Sequence, residues 1–198
     1  MLYKVKYADR SYYSQRNNPI DTYNQITGKS GYLESCMTSA LTNACVALME
    51  KEPIFKINDV VFQPEQLAWD MLNDKGNWPE LMKLRNISEQ LMLREGIVPS
   101  RVPQYMPFVS KKLFNIESSF CWLPIDDMFN KIGSKIVVGN SVVIQLMTPA
   151  HYIAVLKYDS SKEVLIYNDS AYGKNLELTR EDIKNNVDNF YVEFEKKE

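Results

Sequence analysis

The chain has 198 residues, 45% of them hydrophobic and 24% charged, and a formal net charge of −2. That balance gives no basic field for nucleic acid or an anionic membrane, and enough apolar mass to bury a core without staples. No run approaches the ~18 apolar residues of a membrane span and the start lacks the apolar stretch of a secretory signal, so the expected setting is cytoplasmic, without nucleic acid or membrane as partner.

Residues 1–30 are polar and turn-rich, punctuated by "RNNP" and "TGKSG". A buried helix is expected over 35–50, where Leu41, Ala44, Cys45 and Leu48 form the apolar stripe. Ser35 is its natural N-cap, Glu34 favours the positive end, and Pro53 ends the segment. Pro64 opens a second helix over 64–74 and Pro79 a third over 79–95, stopped by Gly96. The stretch 97–123 holds three prolines and little periodicity, and Pro124 starts a short helix to about 132.

The pattern then changes. "SVVIQLM" (141–147), "HYIAVLKY" (151–158) and "EVLIYND" (163–169) are β-branched and aromatic runs parted by short turns. A short helix near 179–186 precedes a last strand, "NFYVEF", at 189–194. Helices followed by antiparallel strands define an α+β class. The length suits a single domain over 1–198, with a helical and irregular insertion at about 51–123.

Three cysteines, Cys36, Cys45 and Cys121, make neither a disulfide framework nor a C-x-x-C motif. Cys45 and Cys121 read as core residues, and Trp69, Trp78 and Trp122 as packing residues. A single histidine, His151, excludes a His-rich zinc site, and a closed one would need it together with all three cysteines, so no metal and no cofactor are expected. If an imidazole base exists, it is His151.

Thiol-dependent acyl transfer needs a thiol at a helix N-terminus, a histidine to take its proton, a carboxylate or amide to orient that histidine, and a donor for the oxyanion. Ser35 and Cys36 sit side by side at a helix start, His151 opens one strand, and Asn168-Asp169 closes the next. Adjacent antiparallel strands can bring His151 to that pair. Gln15 is a candidate oxyanion donor. Each alone has a bland reading: a small core cysteine, a satisfied histidine, a loop glutamine, an Asx turn.

The islands "YYSQRNN", "GKSGY" and "SCMTSAL", then "HYIAVLKYD" and "IYNDSAYG", resemble the double-glycine-peptidase-like papain-fold cysteine peptidases, in particular their bacterial and phage branch. The resemblance implies a papain-like fold, its N-terminal helical half packed on a twisted antiparallel sheet, and hydrolysis of a peptide or isopeptide bond in a peptide or protein substrate. Residue by residue it makes Gln15 the oxyanion glutamine, His151 the general base and Asp169 the orienting carboxylate. Ser170 stands where the family pattern has proline.

The nucleophile departs from the pattern. Counting back from Thr38-Ser39 in C-x-x-T-S, and forward from "GKSGY", places it at position 35, which is serine. Three accounts stay open: Ser35 replaces a cysteine, Cys36 is the nucleophile after a one-residue shift, or the protein has lost its thiol. The register predicts that Ser35 faces His151 and that Cys36 points into the packing, leaving the chain nearly inert. Two other functions remain beside the peptidase: a catalytically silent module holding a peptide or protein, and an acyltransferase on the same fold.

Overall fold

The computed structural model describes residues 1–10, 12–17, 35–57 and 59–196. The expectations for Glu34, "TGKSG" and "GKSGY" lie outside the described residues. In chain order the strands are β1 (Leu2–Lys4), β2 (Phe55–Ile57), β3 (Val60–Phe62), β4 (Glu117–Trp122), β5 (Ser141–Met147), β6 (Ala150–Asp159), β7 (Val164–Asp169), β8 (Gly173–Thr179) and β9 (Val187–Glu195). The α-helices are α1 (Cys36–Val46), α2 (Pro64–Asn73), α3 (Trp78–Arg85), α4 (Glu89–Arg94), α5 (Met106–Val109), α6 (Ile125–Val137) and α7 (Arg180–Asn186).

A seven-stranded antiparallel sheet in the order β4-β9-β5-β6-β7-β8 carries the fold, and β1 also pairs with β6. β5 pairs with β6 as far as Val155, and β1 takes over at Lys157–Asp159. The sheet's centre is covered on both faces. His151 through Lys157 are consecutively buried, as are Ser141 through Ile144, and a strand open to water on one face would alternate instead. Helices α1 and α6 supply the cover, both packing on β5 and β6.

The two helices do this differently. In α6, Met128, Phe129, Ile132 and Ile136 form one apolar stripe, while Asp126, Asp127 and Lys131 stay outside. Gly133 lies in the same stripe because a Cβ there would meet the Tyr158 ring at 3.4 Å. In α1, every residue from Met37 to Val46 is buried, so it is wrapped on all sides.

The expected helix over 79–95 is two helices. Asn86 adopts φ 52°, ψ 46° as the left-handed cap of α3, and Ser88 accepts the Leu91 N–H as the N-cap of α4. Cap residues broke a segment whose apolar pattern reads as continuous. The last helix of the first half runs past 132 to Val137. The Pro-rich stretch 97–123 contains β4, an edge strand of the sheet that pairs with β9. On that strand Cys121 is half-buried rather than the core residue expected, and Trp122 is 67% exposed while its ring packs edge-on against Phe120 and Phe190.

Candidate active site

β6 and β7 place the acid–base pair. Asp169, the last residue of β7, opposes Ile153 on β6, and His151 lies two residues along, on the same face as Ile153. Such diagonal neighbours are within side-chain reach. His151 Nε2 and Asp169 Oδ1 are 2.8 Å apart, which leaves Nδ1 as the second ring nitrogen. Asp169 Oδ1 also accepts the backbone N–H of Ala171 at 2.8 Å and of Tyr172 at 3.1 Å. Burial works against its charge, but His151 and the two N–H groups outweigh burial and hold the carboxyl below its usual range.

α1 supplies the thiol. Cys36 is its first helical residue, where the N–H groups have no acceptor within the helix. Cys36, Ala40 and Asn43 share one face at spacings of four and three. Asn43 fixes where that face looks. Its Oδ1 accepts the Tyr13 N–H at 2.9 Å, and its Nδ2 donates to Tyr13 O at 2.9 Å and Ser39 O at 2.8 Å. The face therefore looks onto the segment 12–17, and Cys36 emerges beside it, half-exposed, in the cleft that His151 also lines. Burial pulls the imidazole pKa down, but Asp169 and Cys36 together carry it up to about 9.

Ser35 and Cys36 are thus placed the other way round from the register count. Ser35 is 0% exposed, takes up the N-cap position at φ −102°, ψ 10°, and its carbonyl accepts the Ser39 N–H and the Thr38 hydroxyl. It makes no side-chain cap bond. One residue turns a helix by ~100°, so two neighbours cannot share the cleft. Ser35 shares its face with Ser39 and Thr42, whereas Cys36 shares that of Asn43, which bonds to Tyr13 beside Gln15. A count along the chain fixes distance from Thr38-Ser39 but not this rotation.

Gln15 sits in a 3-10 turn, Gln15–Asn17, and is 6% exposed. Its N–H donates to Ser170 O at 3.1 Å, the Ser14 hydroxyl donates to the same carbonyl at 2.9 Å, and the Ser170 hydroxyl donates to Gln15 Oε1 at 2.7 Å. Asn168 turns away from His151, its Oδ1 accepting the Asn175 N–H at 3.2 Å. Gln15, Arg16, Cys36, His151, Ala171 and Tyr172 line a common cleft of about 310 Å³. The Tyr172 ring stands edge-on to His151, their centroids 6.3 Å apart. A larger recess of about 570 Å³ beside Ile54, Phe55 and Met71 is lined by no thiol or imidazole.

The sequence reading therefore named Gln15, Cys36, His151 and Asp169, which the structure brings together, and Ser35, which it does not. It missed Asn43, Tyr172 and the part Ser170 plays. An asparagine in the middle of an all-apolar helix face was the available signal for Asn43, since a buried amide must be bonded to something. Tyr172 stood in the island "IYNDSAYG" but was given no role of its own. Among the described residues no group of three His, Cys, Asp or Glu is placed to hold a metal ion.

No family model and no curated protein matches the sequence. The structure superposes on the crystal structure of a protein from Bacillus anthracis described as a C39-like peptidase, over 98% of both chains, with a TM-score of 0.55 and 10% sequence identity. A looser match, TM-score 0.31 at 15% identity, joins 54% of this chain to 24% of UfSP from C. elegans. The fold is α+β and papain-like, the class of architecture that the sequence islands implied. Among the described residues no helix is long and apolar enough to cross a membrane.

Proposed function

We propose that the protein is a thiol-dependent peptidase with Cys36 as nucleophile. What supports this most is that Cys36, the His151 held by Asp169, and Gln15 line one cleft. His151 takes the thiol proton through Nδ1. The Cys36 thiolate attacks the substrate carbonyl carbon, forming a C–S bond. The oxyanion accepts hydrogen bonds from the Gln15 side-chain amide and the backbone N–H of Cys36. His151 then protonates the amine as the C–N bond breaks, leaving a thioester. Water, deprotonated by His151, cleaves the C–S bond and frees the acid. Asp169 stabilises the imidazolium and fixes the tautomer throughout.

A native serine at position 35 would favour a silent binding module, whereas Cys36 lining the cleft favours the peptidase reading. The test is hydrolysis of a randomised decapeptide pool followed by mass spectrometry. Cleavage by the natural chain that is lost in Cys36→Ala and retained in Ser35→Ala is expected. Cleavage that survives Cys36→Ala, or that Ser35→Ala alone abolishes, defeats the assignment.

A further inference from the structure

We propose that Ser170 is the positioning residue that aims the oxyanion donor, by holding the Gln15 side-chain amide in one of its two orientations. The inference rests on the peptidase reading and deepens it. A glutamine amide presents an oxygen that only accepts and an NH₂ that only donates. An oxyanion needs the NH₂. The reverse orientation would turn a carbonyl oxygen toward the thiolate and the developing negative charge.

Ser170 meets the glutamine in the productive orientation. Its hydroxyl donates to Gln15 Oε1 at 2.7 Å, which occupies the accepting end and turns the NH₂ the other way. Its own carbonyl accepts both the Gln15 N–H at 3.1 Å and the Ser14 hydroxyl at 2.9 Å. The residue therefore grips the backbone and the side-chain tip of the same glutamine and cannot drift relative to it. Ser170 is 1% exposed and Gln15 6%, so little water competes for these bonds. The grip joins residues 155 positions apart in sequence. Its neighbour Asp169 holds His151, so two consecutive residues at the end of β7 set both the base and the oxyanion donor.

Two probes of Cys36 separate this role from a general one. p-Nitrophenyl acetate acylates a thiol through a tetrahedral oxyanion, and iodoacetamide alkylates it without forming one. In Ser170→Ala the acylation burst is expected to slow by about tenfold, somewhat less than deletion of an oxyanion donor itself. The alkylation rate of Cys36 should stay within about twofold. Ser170→Thr, which keeps a hydroxyl, should recover most of the burst rate. An unchanged burst in Ser170→Ala overturns the inference, as does an equal fall in burst and alkylation, and so does a Thr variant as slow as Ala. A burst that is missing from the natural chain, or that survives Cys36→Ala, overturns the peptidase reading and this inference with it.

Discussion

Cys36 and Ser35 occupy successive positions of one chain, yet one lines the cleft and the other has no exposed surface. Reactivity should follow that placement. Iodoacetamide mapped by mass spectrometry should label Cys36 at least about tenfold faster than Cys45, which is fully buried and whose thiol is pushed well above its ordinary range by burial. His151→Ala should slow Cys36 labelling, and Ser35→Ala should not; the opposite pair of results would return the nucleophile to position 35. The pH dependence follows from His151. Its proton must be present to leave with the amine, so kcat/KM should hold until the pH approaches about 9 and fall beyond it. Asp169 raises that value, so Asp169→Asn should move the alkaline limb to lower pH; a limb left in place would show that Asp169 does not act on the imidazole. His151 and Asp169 were legible in the sequence because strand geometry has a period of two and a hairpin leaves few choices of partner. The thiol's position was not, because the rotation of a helix depends on what each face packs against.

Helices α1 and α2 each carry a further feature that can be tested at the scale of the element. Asn43 ties the Gln15 segment to the helix through both backbone groups of Tyr13. Asn43→Ala should cost about 1–3 kcal/mol of stability and lower activity by loosening Gln15, read as a fall in denaturant midpoint and in kcat together. Unchanged activity would separate the clamp from the site. Glu65 on α2 is 0% exposed, and among the described residues its side-chain oxygens have no hydrogen-bond partner beyond its own backbone. Burial carries its pKa from 4.5 up to about 7. A raised acid binds its proton more tightly in the folded state. Its contribution is therefore fully present below about pH 4.5 and is lost as the pH rises through about 7. The loss is on the order of 3 kcal/mol. Glu65→Gln should flatten that part of the stability–pH curve, measured by chemical denaturation from pH 4.5 to 8; an unchanged slope would mean the carboxyl is solvated. The elements themselves were legible where periodicity or β-branched runs dominate: α1, α2, β5, β6, β7 and β9. β8, "GKNLELT", was not, because it is a polar edge strand whose only requirement is its partner β7. The break between α3 and α4 depends on one left-handed asparagine.

At the scale of the whole molecule, the candidate site is assembled from residues 12–17, the start of α1, the start of β6 and the end of β7, so it exists only when distant parts of the chain are in place. All four parts rest on the doubly covered sheet centre. Helices α3 and α4 do not belong to that arrangement: Leu81 is the one buried residue of α3 and Met92 the one buried residue of α4. Burial of apolar surface is what resists local opening, so these two helices should open far more often than β5, β6 and α1. Hydrogen exchange followed by mass spectrometry at neutral pH should show amides of 78–94 exchanging at least roughly 100-fold faster than those of 151–157, by local opening rather than by unfolding of the whole. Denaturant should accelerate the β6 amides with the full slope of global unfolding and the α3–α4 amides with a much smaller one. The reactivity of Cys36 supplies the link to the site. Iodoacetamide labelling at rising urea should keep its native rate while α3 and α4 open, and should change only at the transition that releases β6. If Cys36 instead loses its native rate together with the 78–94 amides, those helices take part in holding the cleft, and the site is not carried by the sheet and α1 alone.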